Sequence, residues 1–108
     1  MRKFPLKTGH LYHICTKSIA NYRIFRTDDD FERMVEMMRY YRYESPPVRF
    51  SLYEKYLEKN DKTISSELSA KDRLVDIVSY CIMPTHIHLI LAQLKKDGIS
   101  TFMKNLLN

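Results

Sequence analysis

Tryptophan is absent from this chain, cysteine and glycine each occur only twice, and proline occurs four times. So few glycines and prolines exclude a loop-rich or low-complexity protein. The two cysteines, Cys15 and Cys81, cannot form a disulfide framework and do not sit in a Cys-x-x-Cys spacing. Each lies in an apolar, strand-like run, so buried reduced thiols in a reducing compartment are expected. No run approaches the ~18 consecutive apolar residues of a membrane span. The opening residues, MRKFPLKTGH, carry charge but no apolar h-region. No signal peptide is therefore visible, and a cytoplasmic location is expected. Tyrosine is plentiful, with eight copies, yet none follows Tyr80.

The 108 residues suit one domain with one core. The formal charge of +5 favours an anionic partner, nucleic acid first and a membrane surface second. The basic residues are spread along the chain without a Lys/Arg block, so charge alone is equally compatible with a basic protein that has no such partner.

Hydrophobic patterning gives an element order. Residues 11–18 (LYHICTKS) have strand composition and follow Gly9. Residues 20–26 (ANYRIFR) form an irregular basic and aromatic connection. Thr27 can cap a helix whose first turn, Asp28, Asp29 and Asp30, complements the positive end of the helix dipole. Phe31, Met34, Val35 and Met38 follow at the 0, 3, 4, 7 spacing of an amphipathic helix, a stripe that reads as core. Ser45-Pro46-Pro47 closes that helix. Phe50, Tyr53, Tyr56 and Leu57 suggest a shorter second helix, while residues 60–72 are polar and compatible with loop or weak helix. Residues 74–83 form a second strand, Pro84-Thr85 a tight turn, and residues 86–92 a third strand, an antiparallel hairpin. A last helix spans residues 98–107, with Ser100 as its expected cap. The class is therefore α+β, a ferredoxin-like βαββα(β) arrangement with an antiparallel sheet.

In the third strand, His86 and His88 are two apart and share a face, because side chains alternate with period 2. Ile87, Leu89 and Leu91 form the more apolar face and should meet the helices. The histidines would then point to the open face, as two corners of a metal site. An isolated His-x-His is more often two ordinary strand residues. Here the segment MPTHIHLIL resembles the HUH motif of single-strand DNA transposases, with Ile87 as the bulky hydrophobic residue. It is most similar to the one-tyrosine, IS200-like branch, which includes the REP-associated tyrosine transposases. Met83, Pro84, His86, Ile87, His88 and Leu89 match that branch's Met-Pro-Asn-His-U-His-Leu, with Thr85 in place of Asn. Tyr12-His13-Ile14, then Asn21, Arg23, Ile24 and Phe25, resemble the family's first strand and the basic loop after it. The acidic helix start at residues 28–31 and the Gly98-Ile99-Ser100 helix start also fit.

The resemblance implies DNA transposition by metal-dependent nicking and rejoining of single-stranded or hairpin DNA through a phosphotyrosine. It also implies a homodimer, and Mg2+ or Mn2+ held by His86 and His88. His13 becomes a possible further group near the metal, because the first and third strands are neighbours in such a sheet. Lys17, Arg23 and Arg26 become candidates for the DNA backbone, and Tyr22 and Phe25 candidates for stacking on unpaired bases. The family's nucleophilic tyrosine lies on a later helix, beyond a further strand, and neither is present here. The chain thus reads as the N-terminal part of such a domain, with no catalytic residue of its own. Two other readings stay open: a non-catalytic nucleic-acid-binding module derived from a transposase, and an unrelated α+β metal protein.

Overall fold

The computed structural model of the chain describes residues 5–17 and 24–107. The elements are β1 (Leu11–Lys17), α1 (Asp28–Tyr41), α2 (Phe50–Glu58), α3 (Thr63–Ser69), β2 (Val75–Met83), β3 (His86–Gln93) and α4 (Gly98–Leu107). The three strands form one antiparallel sheet in the order β1-β3-β2, an α+β architecture compatible with the ferredoxin-like fold expected. The polar stretch left undecided between helix and loop contains α3, which docks through Ile64 and Leu68.

The Pro84-Thr85 turn sets the register of the hairpin. Met83 stands opposite His86 and Cys81 opposite His88; on the other side of β3, Lys17 faces His86 and Cys15 faces His88. Pleating sends Ile87, Leu89 and Leu91 to the helix side, where all three are buried with Phe25, Met38, Ile99, Phe102 and Leu106. A register shift between Ile77 and Ser79 bulges β2, which is an edge strand.

Helix α1 starts at a capping box. The Thr27 hydroxyl accepts from the Asp30 N–H at 3.2 Å, and the Asp30 carboxylate accepts from the N–H groups of Thr27 and Arg26 at 3.2 and 3.0 Å. These backbone donors hold the Asp30 carboxyl below its usual range. The helix ends at Tyr41, before the Ser45-Pro46-Pro47 stop. Tyrosines rivet the return loop: the Tyr40 hydroxyl donates to the Val48 carbonyl, and the Tyr41 hydroxyl accepts from Phe50 N–H at 3.2 Å. A second small cluster of Tyr40, Phe50 and Leu68 joins α1, α2 and α3.

Helix α4 departs from expectation at its start. Ser100 lies inside the helix rather than capping it. The free N–H of Ile99 is instead met by Gln93, whose side-chain oxygen accepts at 3.1 Å while its amide nitrogen donates to the Leu6 carbonyl at 3.0 Å. Gln93 is the one polar side chain in the buried set of the described residues. Gln93→Ala orphans both partners and leaves a void, so it should cost about 2 kcal/mol, read as a shift in the urea midpoint at unchanged m-value.

Candidate functional site

The pleat that buries Ile87 and Leu89 turns His86 and His88 onto the uncovered face of the central strand, half-buried. Their ring centroids are 4.9 Å apart and nearly perpendicular, at 77°. Each ring is held through Nδ1. His86 Nδ1 lies 3.0 Å from the Thr85 hydroxyl. His88 Nδ1 lies 3.0 Å from Nε2 of His13, and those two rings stack at 5.2 Å and 14°. Were Nδ1–H of His86 to donate to Thr85 and Nδ1–H of His88 to His13, the Nε2 atom of each ring would present its lone pair to a ligand. Cys15 Sγ lies 3.9 Å from His88 Nε2.

Desolvation, reinforced by the like charge of His86, His13 and Lys17, holds the His88 imidazole below its ordinary pKa of 6.5. His88 is therefore neutral at pH 7, the state a metal ligand needs. Unfolding restores the ordinary value, so as pH falls below 6.5 the unfolded chain takes up this proton first and stability declines. The decline from this group ends once pH is below the folded-state pKa. A proton NMR titration should place the His88 midpoint below 6.5, and replacing His13 and Lys17 by neutral residues should move it upward.

The donor set can be compared with the ions expected. The strand neighbours of the pair on this face are Cys15, Lys17, Cys81 and Met83, none a carboxylate. Mg2+ prefers oxygen ligands in an octahedron, whereas Mn2+ and other first-row ions accept imidazole. Among the described residues, no group of three or more His, Cys, Asp or Glu side chains is gathered to hold a metal. The two imidazoles offer at most two nitrogen donors, so an ion held here would need its remaining ligands from elsewhere.

The other residues singled out in the sequence divide. His13 does meet the pair, through His88. Lys17 is exposed on the same face, in register with His86. Arg26 is exposed at the same end of the sheet, because the N–H groups of Ile24 and Phe25 both donate to the Pro84 carbonyl. Tyr22 and Arg23 lie outside the described residues. Phe25 is not free to stack on a base: it is 4 % exposed and packs against Phe31 at 5.5 Å, since the segment leading into α1 folds over the core. Cys15 and Cys81 are exposed free thiols, not buried ones, because both fall on the uncovered face.

The Thr85 hydroxyl, which stands where the motif has Asn, orients His86. Cys81 beside His88 was missed, although a two-residue turn after Met83 implies that pairing. His10 is on the surface. No tyrosine of the strands shares the histidine face: Tyr12 packs on the core, and Tyr80 pairs with Leu89. No family model, no curated protein and no solved structure matches the chain.

Proposed function

We propose that the chain is a transposase IS200-like, HUH-type domain that binds single-stranded or hairpin DNA on the open face of its sheet, with His86 and His88 holding a divalent ion against a backbone phosphate. One observation carries this reading: the motif's two imidazoles share the uncovered face of the central strand, each with Nδ1 engaged and, among the described residues, with Nε2 meeting no carboxylate or backbone partner. Mn2+ suits this donor set better than Mg2+.

When bound, the ion supplies Lewis-acid polarisation of the phosphate and neutralises charge in the transition state. The chain's own residues do the rest. Thr85 and His13 fix the tautomers and tilt of the two ligands. Lys17 and Arg26, at the same end of the sheet, neutralise flanking phosphates and set the strand's position without reading its sequence. Formation of a phosphotyrosine needs a tyrosine oxygen in line with the scissile bond. Tyr40 does not serve: its hydroxyl is tied to Val48, and burial pushes its pKa up, away from the phenolate a nucleophile needs. The outer edges of β1 and β2 are unpaired among the described residues, which supports a homodimer made by strand pairing.

Accordingly, the 108-residue chain should bind a hairpin oligonucleotide but not nick it with Mn2+ or Mg2+, as judged on a denaturing gel. Nicking that disappears in His86→Ala would show that one of these residues supplies the nucleophile and overturn the prediction. A second reading, a nucleic-acid-binding module without metal chemistry, is favoured by the lack of a third ligand among the described residues. It requires DNA binding that ignores both added metal and substitution of the histidines.

A further inference from the structure

Far from the histidines, α1, α2 and α3 line an open cavity of about 320 Å³ whose lining includes Glu36, Arg39, Arg42, Tyr43, Tyr53 and Ser65. The entry to α1 is bonded to Pro84, and the residue after it, Arg42, to Leu74, so the cavity lies toward the opposite end of the molecule, on the helix side of the sheet. The 14 residues of α1 rise about 21 Å between those ends.

Three features of this cavity bear on a ligand. Arg42 is held by its Tyr43 neighbour, with Nη2 donating to the Tyr43 hydroxyl at 3.3 Å and the guanidinium 5.2 Å over the ring, yet its Nε is buried with no hydrogen-bond partner. Arg39 is exposed and makes no ion pair among the described residues. Tyr53 is stacked on Tyr40 at 4.5 Å and 27°, which fixes the ring in a preset orientation at the cavity wall. An unsatisfied guanidinium edge calls for an acceptor, and Arg pairs best with carboxylate or phosphate oxygens in a fork. Glu36, the one carboxylate in the lining, is outnumbered by the two guanidinium groups. Fixed tyrosine rings beside them offer flat apolar surface for an aromatic ring. The volume lies at the small end of ligand sites.

We infer that this cavity binds one nucleotide unit, with its phosphate on Arg39 and Arg42 and its base against Tyr43 and Tyr53. The unit comes either from a free nucleotide or from a nucleotide within a single strand. The site rests on its own residues and does not require the metal-dependent reading of the histidine face.

The test is a two-dimensional NMR titration of the 108-residue chain with dAMP, inorganic phosphate, deoxyadenosine and a short oligodeoxyadenylate. The expected result is saturable shifts centred on residues 36–43 and 53, produced by dAMP or the oligonucleotide more strongly than by phosphate or the nucleoside. Binding should weaken about tenfold or more in Arg42→Gln and in Arg39→Gln. Arg39 is exposed, so its variant remains informative if Arg42→Gln fails to fold. Response to dAMP points to a free nucleotide as ligand; response to the oligonucleotide alone points to a strand. No saturable shift with either ligand, an equal response to phosphate alone, or unchanged affinity in Arg39→Gln would overturn the inference.

Discussion

Gly98→Ala should destabilise the protein by about 3 kcal/mol, the upper end of the overpacking range, which for a domain of this size lowers Tm by roughly 15 °C. A Cβ at position 98 would lie 2.4 Å from the Leu74 carbonyl oxygen, a backbone atom that already accepts from Leu94 N–H at 3.0 Å. No side chain can swing away to make room. Relief requires either moving α4 off the end of β2, which uncovers Ile99 and Phe102, or breaking the bond between Leu74 and Leu94. Gly9→Ala makes the contrast. Gly9 has φ +87°, and nothing lies within 4 Å of the added carbon. That change meets only the left-handed strain, about 1 kcal/mol. Paired thermal melts of the two variants separate steric crowding at α4 from backbone strain at the β1 entry.

The second large effect concerns the metal. The double variant His86→Ala/His88→Ala should lose affinity for Mn2+ by about 100-fold or more, measured by electron paramagnetic resonance of the free ion, while keeping its fold. Both rings stand on the uncovered face, so removing them leaves no cavity in the core formed by Ile87, Leu89 and Leu91. His13→Ala and Thr85→Ala remove only the partners of Nδ1 and should weaken Mn2+ by 10–100-fold, the range for groups that orient a ligand. The ordering follows from the geometry: two residues offer the Nε2 atoms, and two residues aim them. Affinity in the wild type and in the His13→Ala and Thr85→Ala variants should fall as pH drops below 6.5, because protons compete with the ion for imidazole; the double variant should show no such dependence.

Much of this arrangement was legible in the chain. The period-2 alternation of residues 86–91 separated the core face from the histidine face, and the two-residue turn at Pro84-Thr85 identified the hairpin. The neighbourhood of His13 and the pair was expected as one possibility of a ferredoxin-like sheet, in which the first and third strands are adjacent, as they are here. What could not be read was set by long-range packing. The polar run that contains α3 has weak helical propensity and becomes a helix because Ile64 and Leu68 are buried, Leu68 against α1 and α2. The cysteines look like core residues by composition, and only the register puts them on the open face. Gln93, at the end of an apolar strand, gave no sign that it would replace Ser100 at the start of α4. Phe25 looked available for stacking until the bonds from Ile24 and Phe25 to Pro84 drew it under α1.

The central claim is that the histidine pair joins a metal to DNA. It is tested most directly by the Mn2+ dependence of hairpin-oligonucleotide binding, followed by fluorescence anisotropy at fixed ionic strength. The wild-type chain should bind more tightly as Mn2+ is added, and His86→Ala/His88→Ala should bind with the weaker, metal-independent affinity throughout. Equal binding by both proteins at every Mn2+ concentration would contradict the claim and leave the sheet as a nucleic-acid surface without a metal.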